Sequence, residues 1–152
     1  MIEGLKKAWS GALQPFFRLP EEEQSAALCC RTGADGTEVL LITSRDTGRW
    51  ILPKGWLEKD MSPAQSAQKE AWEEAGVKSG VLHETGLGKF CYEKSAEDGC
   101  DLLVEVEVFR LDVTELADDF PEAQERERAW FRPSDAAEAV QEPELKKILL
   151  RL

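Results

Sequence analysis

The sequence predicts an α/β protein in which a mixed sheet lies between helices. Three observations carry this expectation. Arg49-Trp-Ile-Leu-Pro-Lys-Gly55 reads as a short apolar strand running into a turn, and a well-delimited helix follows it. Leu102, Val104, Val106 and Val108 alternate with Leu103, Glu105, Glu107 and Phe109, the period-2 pattern of a strand with one apolar face. Gly33-Ala-Asp-Gly36 separates two apolar runs, Ser25 to Arg31 and Thr37 to Ser44, and reads as a hairpin turn.

Taken in chain order, Met1 to Pro20 forms an appended arm, and residues 21–152 form one domain. In the arm, Leu5, Ala8, Trp9, Ala12 and Leu13 make an amphipathic turn or two before Pro15. The hairpin comes next, then the strand into Gly55. Ser62-Pro63-Ala64-Gln65 supplies a capping hydroxyl, a proline at the first helical position and a glutamine at the third, so a helix starts there; Gly76 stops it. Ala64, Ala67, Ala71 and Ala75 leave a narrow stripe by which this helix can lie close to a sheet. Leu87 to Glu93 pairs with Leu102 to Leu111, and Asp112 to Glu127 reads as an acidic loop. Ala129 to Arg132 is a short strand, Pro133-Ser134-Asp135 opens a helix through Val140, and Pro143 begins a last helix with Leu145, Ile148, Leu149 and Leu152 inward.

The chemistry is concentrated on the first helix. Glu70, Glu73 and Glu74 lie fifteen to nineteen residues after Gly55 and just before Gly76-Val77. At about 100° per residue, positions 70, 73 and 74 project from one side of a helix. Crowded carboxylates repel, and a divalent cation between them relieves that repulsion.

A strand, a glycine loop and a helix with this acidic face together resemble a Nudix hydrolase. The family pattern runs Gly-x5-Glu-x7-Arg-Glu-U-x-Glu-Glu-x-Gly-U, with U a bulky aliphatic residue. Gly55, Glu70, Glu73, Glu74, Gly76 and Val77 match it without a gap, while Met61 replaces the first glutamate, Lys69 the arginine and Ala71 the aliphatic residue. The resemblance spans about Ser25 to Val140. Trp50-x-x-Pro-x-Gly55 and Glu127-Arg128-Ala-Trp130-Phe131 look like the branch that hydrolyses diphosphoinositol polyphosphates and dinucleoside polyphosphates.

This resemblance implies an α/β/α sandwich and a Mg²⁺- or Mn²⁺-dependent cleavage of a phosphoanhydride in a phosphorylated small molecule. It implies Glu70 and Glu74 as metal ligands, helped by a backbone carbonyl of Lys54 or Gly55, with Glu73 or Glu70 as the catalytic carboxylate. Asp60 and Glu58 are expected to substitute in part for the glutamate lost at Met61. Lys69 offers a flexible ammonium in place of a planar fork, so the carboxylates around it are held more loosely. Arg45, Arg49, Lys54, Lys89 and Lys94 fall in loops expected to ring the same cleft and to bind phosphate. Trp56, Phe90 and Tyr92 are the stacking candidates, with Trp50 in the core, and Glu122 or Glu125 is the candidate outside carboxylate. Two other readings stand beside this one: a Nudix-shaped binding module that has lost turnover, and hydrolysis of ADP-ribose or nucleotide sugars.

Composition bounds the rest. A formal charge of -11 disfavours sequence-independent nucleic-acid binding. No apolar run approaches the roughly 20 residues of a membrane span. Cys29, Cys30, Cys91 and Cys100 form no Cys-x-x-Cys pair, which argues against a zinc ribbon and for free thiols in the cytoplasm. The lone His83 is expected at the surface, and the protein is expected to be a monomer or homodimer.

Overall fold

The computed structural model of the protein describes residues 19–95, 99 and 101–152. The amphipathic turns expected between Leu5 and Leu13 lie outside the described residues, as do Cys100 and part of the loop before it. The described elements are β1 (Glu22–Gly33), β2 (Gly36–Thr43), β3 (Trp50–Ile51), β4 (Lys54–Trp56), α1 (Pro63–Ala75), β5 (Val77–Leu82), β6 (Gly88–Ser95), β7 (Asp101–Leu116), β8 (Arg128–Phe131), α2 (Pro133–Ala139) and α3 (Pro143–Leu150). The strands form one mixed sheet in the order β3-β2-β1-β7-β5, with β4 on β1, β6 on β7 and β8 on β2. Its parallel pair is β1 with β7, from Glu22 opposite Val104 to Cys30 opposite Asp112.

Strand alternation sends side chains to two cores, one on each face. On one face Ala26, Leu28 and Cys30 of β1 join Val104, Val106 and Val108 of β7 under Ala136, Leu145, Ile148 and Leu149 of α2 and α3. On the other, Ala27 and Cys29 join Leu40, Ile42, Phe109 and Leu111 under Ala64, Ala67, Ala71 and Ala75 of α1. The expected α/β/α sandwich is therefore observed. Trp50 packs edge-on against Phe131, with ring centroids 5.0 Å apart, the core role expected of it.

α1 begins and ends as its sequence predicts. Ser62 Oγ accepts from the Gln65 N–H at 3.1 Å, and Gln65 Oε1 accepts from the Ser62 N–H at 2.9 Å. Gly76 closes the helix at φ 71°, its N–H donating to Ala71 O and Trp72 O. Ser62→Ala is expected to lower stability by about 1 kcal/mol, read as a fall in the urea midpoint at unchanged slope; an unchanged midpoint would show the cap to be idle.

Two readings of the chain need correction, and one strand is added to them. Asp112 to Glu127 is not a loop throughout, because β7 continues to Leu116. Val77 to Leu82, a stretch to which the sequence pattern assigns no element, forms β5 along that extension, with register shifts around Ser79. Gly80 interrupts the apolar pattern there, and a Cβ on it would meet Asp112 O at 2.6 Å; close backbone approach, not side-chain periodicity, makes this strand. Lys54–Trp56, expected as a turn, pairs with β1, placing Gly55 opposite Ser25. That last pairing holds the glycine segment against the sheet directly before α1.

Candidate active site

β4 and α1 bring the glycine segment and the acidic face together. Glu74 is buried, and its Oε1 accepts from the backbone N–H of Lys54 at 3.1 Å. The N–H of Glu58 donates to the buried Ser66 Oγ at 3.0 Å, fastening the end of the same segment to the helix. Glu70 lies over Gly55 so closely that a Cβ there would meet its carboxylate carbon and Oε1 at 2.4 Å. The glycine is required by that approach, since its conformation needs no special φ.

These groups line a cavity of about 530 Å³ that contains Lys54, Gly55, Glu70 and Glu74. Arg45, Arg49, Lys94, Trp56 and Tyr92 line it as well. Of the expected phosphate-binding cations, Lys89 is the one placed elsewhere: it sits on β6, pairs with Glu105 at 3.3 Å and lines a small separate hollow. Arg45 lies 3.5 Å from both Glu122 and Glu125, and Arg49 lies 3.0 Å from Glu142. Glu122 lines the cavity and Glu125 does not. Phe90 is in the core, so the aromatic wall is Trp56 and Tyr92. His83 is at the surface, 2.6 Å from Asp112.

Glu73 stands apart from its neighbours. It does not line the cavity, and it faces Lys69 at 3.6 Å. Lys69 also donates to Glu58 at 2.6 Å, a bond that raises its pKa. Met61 is exposed and, with Asp60, Lys69 and Trp72, lines a different hollow beside α1. Of the two acids expected to stand in at this position, Glu58 reaches the cavity and Asp60 does not.

Burial and like charge act together on the remaining acid. The Glu70 carboxyl is pushed up to about 8, by burial first and then by Glu74 and Glu73. Among the described residues no group donates a hydrogen bond to its carboxylate or forms an ion pair with it. Glu74 is also raised, because burial outweighs the opposing pull of Arg126 and the Lys54 N–H. Burial lowers the Lys54 ammonium to about 8; its Nζ sits 4.4 Å from the centre of the Tyr92 ring. The Tyr92 hydroxyl donates to Gln24 at 2.7 Å.

Arg126 figured in none of the sequence expectations. It lines the cavity, and its guanidinium reaches both Glu74 and Glu122. Its one local signal is its place four residues after Glu122 in the acidic run, which marks a cation among acids without indicating which it serves. Among the described residues no three His, Cys, Asp or Glu side chains stand grouped to hold a metal ion; Glu74 and Glu122 are both turned to Arg126.

The NUDIX domain family model matches residues 22–152, which include the whole sandwich and the acidic helix. The chain belongs to the Nudix hydrolase family. It is 36% identical over 122 residues to mouse diphosphoinositol polyphosphate phosphohydrolase 3-alpha, covering 79% of this chain and 70% of that protein. It is 38% identical over 104 residues to Nudix hydrolase 12, mitochondrial, of Arabidopsis thaliana, covering 66% of this chain and 51% of that protein; it thus spans about half the plant relative's length. Among solved structures, the C. elegans Ap4A hydrolase superposes with a TM-score of 0.59 at 21% identity, covering 86% of this chain and 93% of that one. The NUDIX domain of Shewanella oneidensis NrtR, complexed with ADP ribose, superposes at 0.63 with 15% identity, covering 95% and 97%. At these identities the structural likeness speaks to the Nudix fold. No helix among the described residues is long and apolar enough to cross a membrane.

Proposed function

We propose that this Nudix protein hydrolyses a phosphoanhydride in a nucleoside- or inositol-diphosphate-linked small molecule, using Mg²⁺ or Mn²⁺. The observation that carries the reading is Glu70: a half-buried, unpaired carboxylate pressed on Gly55 and facing a cavity edged by Arg45, Arg49, Lys54 and Lys94. A carboxyl held near 8 beside other acids is a place that gains from a divalent cation. The donors are all oxygens, which suits Mg²⁺ or Mn²⁺ better than zinc. Glu70, Glu74 and a backbone carbonyl of Lys54 or Gly55 are the residues that would hold the ion. When bound, the ion supplies charge on the phosphate oxygens and a more acidic water.

The chain's own residues do the rest. Glu70 lines the cavity and Glu73 does not, which favours Glu70 as the carboxylate that accepts the water's proton. Lys54, Lys94 and Arg49 neutralise and orient phosphates. Trp56 offers a ring face beside them, while Lys54 stands over that of Tyr92, and a diadenosine polyphosphate is the first expectation because it brings both a polyphosphate and bases to stack. The relative named for diphosphoinositol polyphosphates supports this class.

A second reading is favoured by one arrangement. Glu74 and Glu122 are engaged by Arg126, and Met61 and Lys69 depart from the family pattern, as in a ligand-binding module with weakened turnover. The two readings separate in one assay, which follows phosphate or nucleotide release from diadenosine polyphosphates, diphosphoinositol phosphates, ADP-ribose and nucleoside triphosphates in Mg²⁺, Mn²⁺ or chelator. Metal-dependent turnover of one class is expected. Saturable binding without turnover would favour the module.

A further inference from the structure

Arg126 occupies the point where three parts of the fold meet, and each turns an acceptor toward it. Its Nη2 lies 2.9 Å from Glu122 Oε1 and 3.3 Å from Glu74 Oε2. Its Nε donates to the same Glu122 oxygen at 3.1 Å, and its Nη1 donates to Thr43 O, at the end of β2, at 3.0 Å. The side chain is 6% exposed, so these bonds are made largely out of water, where a charged pair is strong once formed and costly to break on one side. Lys69, which stands at the family's arginine position, is committed to Glu58 and Glu73. The cation that reaches Glu74 therefore comes from the segment before β8, about fifty residues further along the chain.

We propose that Arg126 is a positioning residue that competes with the divalent cation: it holds Glu74 and Glu122 in the cation-free protein and yields them as the cation enters. The inference rests on the metal-dependent reading given above. A guanidinium between two carboxylates draws both toward itself and offsets their mutual repulsion. The same fixed charge opposes a second cation at those oxygens. Arg126 thereby tightens the empty site and weakens its affinity for metal.

The test is Mn²⁺ binding by calorimetry, with thermal melts in chelator, on the full chain as wild type, Arg126→Met and Arg126→Lys. Arg126→Met is expected to melt lower in chelator and to bind Mn²⁺ about tenfold tighter, the order of one lost buried charge contact. Arg126→Lys is expected in between, since an ammonium keeps the charge without the planar fork that spans both acids. A purely structural arginine would lower the melt and leave Mn²⁺ affinity equal or weaker, and that result overturns the competition. If Arg126→Met does not fold, Arg126→Lys decides by the same criterion. In the wild type, the Arg126 Nε–H resonance is expected to move on Mg²⁺ addition, and a resonance unmoved at saturation counts against the proposal. Absence of Mn²⁺ binding in all three proteins removes the metal reading and this inference with it; binding by the wild type with loss in both variants removes only the competition.

Discussion

Glu70→Gln is expected to lower hydrolysis by about 10²-fold or more with the far-UV circular dichroism unchanged, the scale of a lost general base or metal contact. The amide has the carboxylate's shape, and among the described residues the carboxylate has no hydrogen-bond or ion-pair partner to lose. Structure should therefore survive while the charge disappears. A rate within a few-fold of wild type would place the chemistry on other residues. The same variant has a stability signature with a definite sign. The folded-state pKa of Glu70, about 8, lies above its ordinary value of 4.5, so the folded protein holds a proton that the unfolded chain releases. Its contribution is fully present below about pH 4.5 and is lost as pH rises through about 8. In chelator, urea midpoints of the wild type relative to Glu70→Gln should fall between those limits, and a divalent cation should flatten the difference. A wild-type midpoint that rises against the variant over this window would contradict the assignment.

Gly55→Ala is expected to cost a comparable factor by a different route. The new methyl would stand 2.4 Å from the Glu70 carboxylate carbon, far inside contact distance, while Gly55 is held by the pairing of β4 with β1 opposite Ser25. The sheet does not move readily, so Glu70 swings away. A displacement of about 1 Å at a reacting group costs on the order of 10² in rate. The expected result is a fall in kcat of that order, with a melting temperature close to wild type because Glu70 is at the end of a flexible side chain. Full activity would mean that the carboxylate works from another position.

What was legible in the chain follows from which forces are local. The start, end and packing stripe of α1 are written in Ser62, Pro63, Gln65, Gly76 and four alanines, and each does what its chemistry predicts. β7 was visible as far as its alternation ran, to Leu111. Beyond that it persists because β5 lies beside it, and pairing between distant segments leaves little trace in either. The site was read in the same uneven way. Glu70 and Glu74 come to the cavity because helix periodicity and the glycine segment place them. Glu73 turns to Lys69, a choice set by side-chain reach on the far edge of the helix. Lys89 was expected beside phosphate but lies on β6 next to Glu105. Phe90, two residues before Tyr92, goes into the core while Tyr92 reaches the cavity wall. Arg126 escaped notice because its partner Glu74 is remote in sequence.

The parallel pairing of β1 with β7 has a consequence for how the molecule comes into being. Glu22 and Val104 are separated by about eighty residues, and bringing such distant segments together is the slow kind of folding event. While the ribosome is still making β7, the finished N-terminal half has no neighbour for one edge of its first strand. The residues of the acidic helix have been made by then, and Arg126 has yet to be synthesised. A nascent chain therefore carries its cluster of glutamates, from the completion of Ala75 until Arg126 is added, without the guanidinium that will later sit among them.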